Sequence, residues 1–148
     1  KISDRASFWH RMGDLGWRDS KDRVWFCGRK SHRVVTPGGD MFTIPCEAIF
    51  NVHPGVFRSA LVGVGPRPHQ TPVICIERSP EGLKMEPDRL TDELLQTAAA
   101  SPLKKSIRHI LFHSGFPVDI RHNAKIFREK LAVWASRRVK QQEMEHAD

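Results

Sequence analysis

The chain has 148 residues and a hydrophobic content of 39%, enough for one modest core or for one domain plus part of a second. Its 24 basic and 17 acidic side chains leave a net charge of +7, and a charged fraction of 28% excludes a disordered polyelectrolyte. No apolar stretch approaches the roughly 18 residues of a membrane span, no signal-peptide pattern opens the chain, and the start at Lys1 reads as a piece of something longer, expected to be cytoplasmic.

Residues 8–30 read as short strands joined by a polar turn at 18–21. A further strand over 33–36 stops at Pro37-Gly38-Gly39, a strong turn signal. Pro45 opens a short helix, with Glu47 in its first turn, where a carboxylate suits the helix dipole. Cys46, Ile49, Phe50 and His53 share one face of that helix, and Pro54-Gly55 ends it. Val56–Val64 and 71–77 are strands, and the run Val73-Ile74-Cys75-Ile76 predicts burial on both faces. Residues 67–70, between them, form a polar loop flanked by prolines, and 79–88 reads as loop. Thr91 is the expected N-cap of a helix reaching about Ala100, with Leu90 and Leu95 as a hydrophobic staple and Ser101-Pro102 as its stop. A third strand over 107–112, a loop over 113–123 and a long helix from about Ala124 complete the chain. Phe127, Leu131, Trp134 and Ala135 line one face of that last helix. The predicted class is α+β: a small three-stranded sheet with flanking helices, preceded by an N-terminal β-hairpin. A break falls near Lys30-Ser31, because the aromatic-rich opening lacks a core partner of its own.

The charge lies in two basic blocks around an acidic middle. Residues 1–35 carry nine basic and four acidic side chains, 36–100 five and eight, and 101–148 ten and five. A nucleic-acid binder can show this distribution, and a basic, non-enzymatic interaction module is one reading of it. Neither block carries a helix-turn-helix, zinc-finger or stacking-aromatic signature, however, so nucleic acid is not the expected partner. Cys27, Cys46 and Cys75 lie far apart with no zinc spacing and read as reduced, buried thiols. His109 and His113 share a face only in a helix, and their stretch is strand-like, so no metal site is expected.

Three residues carry candidate chemistry. Asp14, in a glycine-flanked turn, presents a carboxylate able to accept two hydrogen bonds from vicinal hydroxyls. Arg29, after Gly28 at a strand end, can fork onto a ribose or phosphate oxygen. Lys125, where a polar loop enters the last helix, adds a point charge to an end that already favours anions. Each is also an ordinary surface residue by itself. No Ser/His/Asp or Cys/His arrangement and no phosphate-cradling glycine-rich loop is legible.

The order of motifs takes the reading further. GD at Gly13-Asp14, GRK at Gly28-Arg29-Lys30, then Gly38, Glu47, HPGV from His53 and NAKIFR from Asn123 together resemble the C-terminal end of acyl-adenylate-forming enzymes. That superfamily contains acyl-CoA synthetases, peptide-synthetase adenylation domains and luciferases. Within it, HSGFPVDIRHNAKIFREKLAVWA, CGRKSHRV and PCEAIFNVHPGVFRSALVGVG are similar to the olefin β-lactone synthetase group of bacterial hydrocarbon biosynthesis.

The resemblance implies a C-terminal lid domain over 31–148, with 1–30 the tail of the preceding large domain. It implies that Asp14 holds the ribose hydroxyls of ATP or AMP and that Arg29 lies near the ribose and phosphates. Ser31 falls at the hinge, and Lys125 bridges the substrate carboxylate and the α-phosphate. The implied reaction is ATP-driven closure of a long-chain 2-alkyl-3-hydroxy fatty acid to a β-lactone, releasing AMP and pyrophosphate. ATP and Mg2+ would be bound mainly by the N-terminal adenylation domain, the chain's first expected partner; other enzymes of the hydrocarbon pathway are further ones. The fragment alone is then expected to be inactive. The enzymatic alternative is an acyl-CoA synthetase or a peptide-synthetase adenylation domain. Met12, Ser31, Thr43, Pro45 and Ala124 depart from the superfamily pattern (Thr, Asp or Lys, Pro, Glu and Gly respectively), and they fit the β-lactone group better.

Overall fold

A computed structural model describes residues 2–4, 7–9, 12–101, 107–121 and 125–145. Two short strands, β1 (Ile2–Asp4) and β2 (Ser7–Trp9), pair at the start. The expected hairpin follows as β3 (Asp14–Arg18) and β4 (Val24–Arg29), antiparallel with a register shift between Leu15 and Gly16. A 3-10 turn over Lys30–His32 leads to a second hairpin, β5 (Val34–Thr36) and β6 (Gly39–Met41), whose tip is the predicted Pro37-Gly38 turn.

Next come α1 (Thr43–Phe50), β7 (Val56–Val64), β8 (Thr71–Arg78), a single turn α2 (Pro80–Leu83), α3 (Pro87–Ala100) and β9 (His109–Phe112). The central sheet has the order β7-β8-β9, with β7/β8 antiparallel and β8/β9 parallel. A small hairpin of β10 (Val118–Asp119) and β11 (Lys125–Ile126) then delivers the chain to α4 (Arg128–Glu145).

The sheet is the middle of three layers. Leu61, Ile74, Ile76 and Ile110 point to one face, where Cys46 and Phe50 of α1 and Leu90, Leu94 and Ala98 of α3 cover them. Ala60, Val62, Val73, Cys75 and Leu111 point to the other, under Leu131, Ala135 and Val139 of α4. The period of two thus divides one set of strands between two cores. Central β8 is apolar at consecutive positions, as its sequence predicts, because both of its faces are covered.

Three expectations need correction. Glu47 is not in the first turn of α1, since the helix begins at Thr43 with Phe42 before it; the carboxylate is buried and turned to the sheet edge. The third helix starts at Pro87, so Thr91 is inside it, Leu90 is a core residue, and no Leu90–Leu95 staple opens it. Proline at the first helical position, with its φ already set, outweighs the hydroxyl-cap signal four residues on. Ala124, the expected start of the last helix, is outside the described residues, and α4 itself begins at Arg128. Pairing of β11 with β10, and the bond from the Phe127 amide to the Pro117 carbonyl (2.8 Å), hold the preceding residues extended.

Glu47 and Arg128 form a two-pronged ion pair, with Arg128 Nη2 at 3.0 Å from Glu47 Oε2. Both side chains are largely buried, with 9% and 15% of their surfaces exposed. The pair grips the outer edge of β7: the Leu61 amide donates to Glu47 Oε1 (2.8 Å), and Arg128 Nη1 donates to the Leu61 carbonyl (3.2 Å). Arg128→Met leaves the carboxylate buried and unpaired. It is expected to cost about 3–5 kcal/mol in urea unfolding, and the double variant Glu47→Leu/Arg128→Met is expected to recover part of that loss. Equal midpoints for Arg128→Met and wild type would remove the pair from the account of stability.

Candidate functional site

The hairpin β3/β4 and the turn after it build one wall of the site. Asp14 and Arg29 are cross-strand partners at the open end of the hairpin, and Arg29 Nε lies 3.0 Å from Asp14 Oδ1. Arg29 Nη1 also donates to the Met12 carbonyl (2.9 Å). The Lys30 amide donates to the Gly13 carbonyl (2.8 Å), closing the entry to the turn. Asp14 is therefore the first residue of a strand and not a turn residue: only Gly13, with φ +78°, takes the turn conformation. Gly28 is also required here, since a Cβ on it would meet Thr43 Oγ1 at 2.3 Å, so glycine lets β4 lie against α1.

Beyond this wall opens a cavity of about 560 Å³ lined by Arg29, Lys30, Ser31, His32, Arg33, Arg67 and Lys125, together with Met12 and Gly13. Three of the four predicted site residues, Arg29, Ser31 and Lys125, meet at this cavity. Asp14 is not in its lining but reaches it through Arg29. Lys125 is on β11, opposite Asp119, and not on the helix. Its ammonium is thus carried by a hairpin, and the helix dipole is not what recommends the position.

The lining is cationic and contains no carboxylate. It suits a phosphate or a carboxylate, and it does not suit Mg2+, which takes oxygen ligands. Among the described residues no group of three or more His, Cys, Asp or Glu side chains can hold a metal. All three cysteines are buried and free. Burial pushes the thiols of Cys46 and Cys75 up to about 12, which removes them as nucleophiles.

His32, Arg33 and Arg67 belong to the site and are absent from the sequence-based candidates. For His32 and Arg33 the density of cations in Arg29-Lys30-Ser31-His32-Arg33 was the available signal. Arg33 Nη1 pairs with Asp40 Oδ2 at 3.2 Å, and its Nε is buried with no hydrogen-bond partner among the described residues. His32 Nε2 stands 3.7 Å from Glu129 Oε1 in the first turn of α4, and the same histidine borders a second, smaller cavity of about 160 Å³ with Arg67 and Arg128.

No protein-family model matches the chain. Among solved structures, an anthranilate CoA ligase in complex with anthranoyl-AMP superposes with a TM-score of 0.73, over 87% of this chain and 25% of that one, at 22% identity. A benzoate CoA ligase from Burkholderia xenovorans gives a TM-score of 0.68 over 86% of this chain and 25% of the other, also at 22% identity. The fold is that of the C-terminal domain of adenylate-forming ligases. In sequence, the chain matches olefin β-lactone synthetases: 54% identity over 127 residues with that of Xanthomonas campestris and 51% over 129 residues with that of Stenotrophomonas maltophilia. Each match covers 86% of this chain, which spans 23% of the length of either relative.

The pKa of His32 is held below its ordinary value of 6.5, first by burial and then by the Arg128 guanidinium; Glu129 pulls the other way, and Lys125 and Arg29 add repulsion. Folding thus favours the neutral imidazole. The stability it contributes is present above the unfolded-state pKa and is lost as pH falls through the folded one. His32→Gln is expected to flatten the pH dependence of the urea midpoint below about pH 6.5. Superimposable profiles for the two proteins would assign that dependence to other groups.

Proposed function

We propose that this chain is the C-terminal lid of an ATP-dependent, AMP-forming ligase that closes a long-chain 2-alkyl-3-hydroxy fatty acid to a β-lactone. The observation that carries the reading is the carboxylate-free cavity in which Arg29, Ser31 and Lys125 converge beside Asp14. The identity with two olefin β-lactone synthetases over 86% of the chain supports the choice of substrate. In this reading residues 1–30 end the large adenylation domain and 31–148 form the lid, which turns about Ser31. The preceding domain supplies most of the ATP site and the Mg2+ ligands.

Two steps follow. A substrate carboxylate oxygen attacks the α-phosphorus of ATP, and pyrophosphate leaves with the electron pair of the broken P–O bond. Two anions must meet in this step, and the Lys125 ammonium offsets their repulsion as charge develops. Asp14 accepts hydrogen bonds from the ribose hydroxyls, and Arg29, steadied by Asp14 and the Met12 carbonyl, faces the ribose and phosphate side. The substrate's own β-hydroxyl then attacks the acyl carbon of the adenylate. A C–O bond closes the four-membered ring, the hydroxyl proton is lost to solvent, and AMP departs. No thiol enters.

A thiol-using reading has its own support, because the chain's matches include CoA ligases, among them a 2-succinylbenzoate–CoA ligase of Arabidopsis thaliana at 32% identity over 56 residues. The full-length protein with ATP, Mg2+ and a 2-alkyl-3-hydroxy fatty acid, without coenzyme A, is expected to give β-lactone and AMP. Lys125→Ala is expected to slow adenylation by about 10²–10³-fold. An acyl adenylate that accumulates until a thiol is added would move the protein to the CoA-ligase class. The isolated 148 residues are expected to show no pyrophosphate exchange.

A further inference from the structure

The turn over Lys30–His32 has no side-chain cap and no fully buried residue, and only His32 of its three residues is partly covered. Hydrogen bonds hold it, one set on each side. On the hairpin side, the Lys30 amide donates to the Gly13 carbonyl (2.8 Å). On the sheet side, Arg67 Nη2 donates to the carbonyls of Ser31 (2.8 Å) and Arg33 (3.0 Å), which lie 36 and 34 residues away in sequence.

Arg67 is itself on a braced support. It stands in the loop between β7 and β8, and its Nε approaches Gln70 Oε1 at 3.4 Å. Gln70 ties that loop to β5: its amide donates to the Val35 carbonyl (2.9 Å), and its Oε1 accepts from the Val35 amide (3.1 Å). The Gln70 side chain lies over Gly63, where an added Cβ would meet its amide group at 2.5 Å. Gly63 is on the edge strand β7, so the support is continuous with the central sheet. Arg67 also lines both cavities that flank the turn.

We infer that Arg67 is a positioning residue. It latches the carbonyls of Ser31 and Arg33 to the sheet and so fixes the angle between the β3/β4 hairpin, with Asp14 and Arg29, and the body that carries Lys125. The inference rests on the reading of Ser31 as the point about which the lid turns. It explains why a guanidinium stands here: two N–H groups on one nitrogen reach two carbonyls of one turn, and charge-assisted bonds of this kind are stronger than neutral ones. It also separates Arg67 from Lys125. Arg67 meets the backbone of the pivot, whereas Lys125 meets the anions.

The test uses the full-length protein with Arg67→Ala and Arg67→Lys. Initial rates of limited tryptic cleavage are measured at Lys30–Ser31 and Arg33–Val34, alongside kcat, the KM for ATP and the unfolding temperature. In Arg67→Ala, cleavage at these two bonds is expected to rise about 5-fold or more, because it reads local opening. Cleavage elsewhere and the unfolding temperature are expected to stay as in wild type. kcat is expected to fall about tenfold with an unchanged KM for ATP, as when an arrangement needed only in the transition state is lost. Arg67→Lys, which keeps the charge and three donors, is expected to recover much of both effects.

Wild-type cleavage at the two bonds in Arg67→Ala would overturn the latch. So would an unchanged kcat, or cleavage rising at every site with a lower unfolding temperature. Faster cleavage at the two bonds with reduced kcat, but with a CoA thioester as product, would uphold the latch and reject the β-lactone reading.

Discussion

The fold turns on the exposed edge of β7. An edge strand offers unpaired amides and carbonyls, and an open edge in a small sheet invites pairing with another chain. Here side chains close it. Asn51 Oδ1 accepts the Ser59 amide (2.8 Å), and two residues on Glu47 Oε1 accepts the Leu61 amide. Arg128 then satisfies the Leu61 carbonyl and neutralises Glu47. Because α1 and α4 cover opposite faces of the sheet, the ion pair wraps around its edge and joins the two layers at one point. Arg128 opens α4, only three residues after Lys125. The same contact that seals the sheet therefore anchors one end of the hairpin that carries the cavity's lysine.

The cavity gathers several cations, and their mutual repulsion needs local compensation. Arg29 pairs with Asp14 and Arg33 with Asp40, while His32 faces Glu129, and none of these acids lines the cavity. These acids orient the cations without entering the lining. Burial and then the Arg128 guanidinium lower the pKa of His32, which favours its neutral form in this setting. The result is a wall of donors with fixed direction, the form of preorganisation that favours an anion over water.

How much of this was legible in sequence depended on the range of the interaction. The strands of the central sheet were readable because their period and β-branched content are local, and Val56–Val64 falls where the valines place it. Asp14 and Arg29 were found as separate residues in an ordered series of motifs, but their pairing across the hairpin is set by register. Glu47 was misread because a carboxylate near a helix start has a local explanation, the dipole, while its partner lies 81 residues on. Lys125 was assigned to a helix because β10 and β11 are two residues each, too short to leave a periodic trace. Arg67 gave no signal, because it acts on backbone carbonyls, which every sequence has.

The β3/β4 hairpin makes the same point about local chemistry. Two strands alone are marginal in water, and these expose Trp17, Val24, Trp25 and Phe26 instead of burying them. What holds them is Asp19 in the turn. Its carboxylate accepts the Trp25 indole N–H (3.0 Å), the Arg23 guanidinium (2.7 Å) and the backbone amides of Lys21 and Arg23. The Trp25 bond, against a smaller opposing effect of burial, leads the interactions that lower its pKa to about 2. With Trp17 stacked on Trp25 and Gly28 seated on α1, the hairpin keeps its register without a core. Asp14 and Arg29 are its last pair at the open end, so the turn chemistry at Asp19 sets where both of them stand.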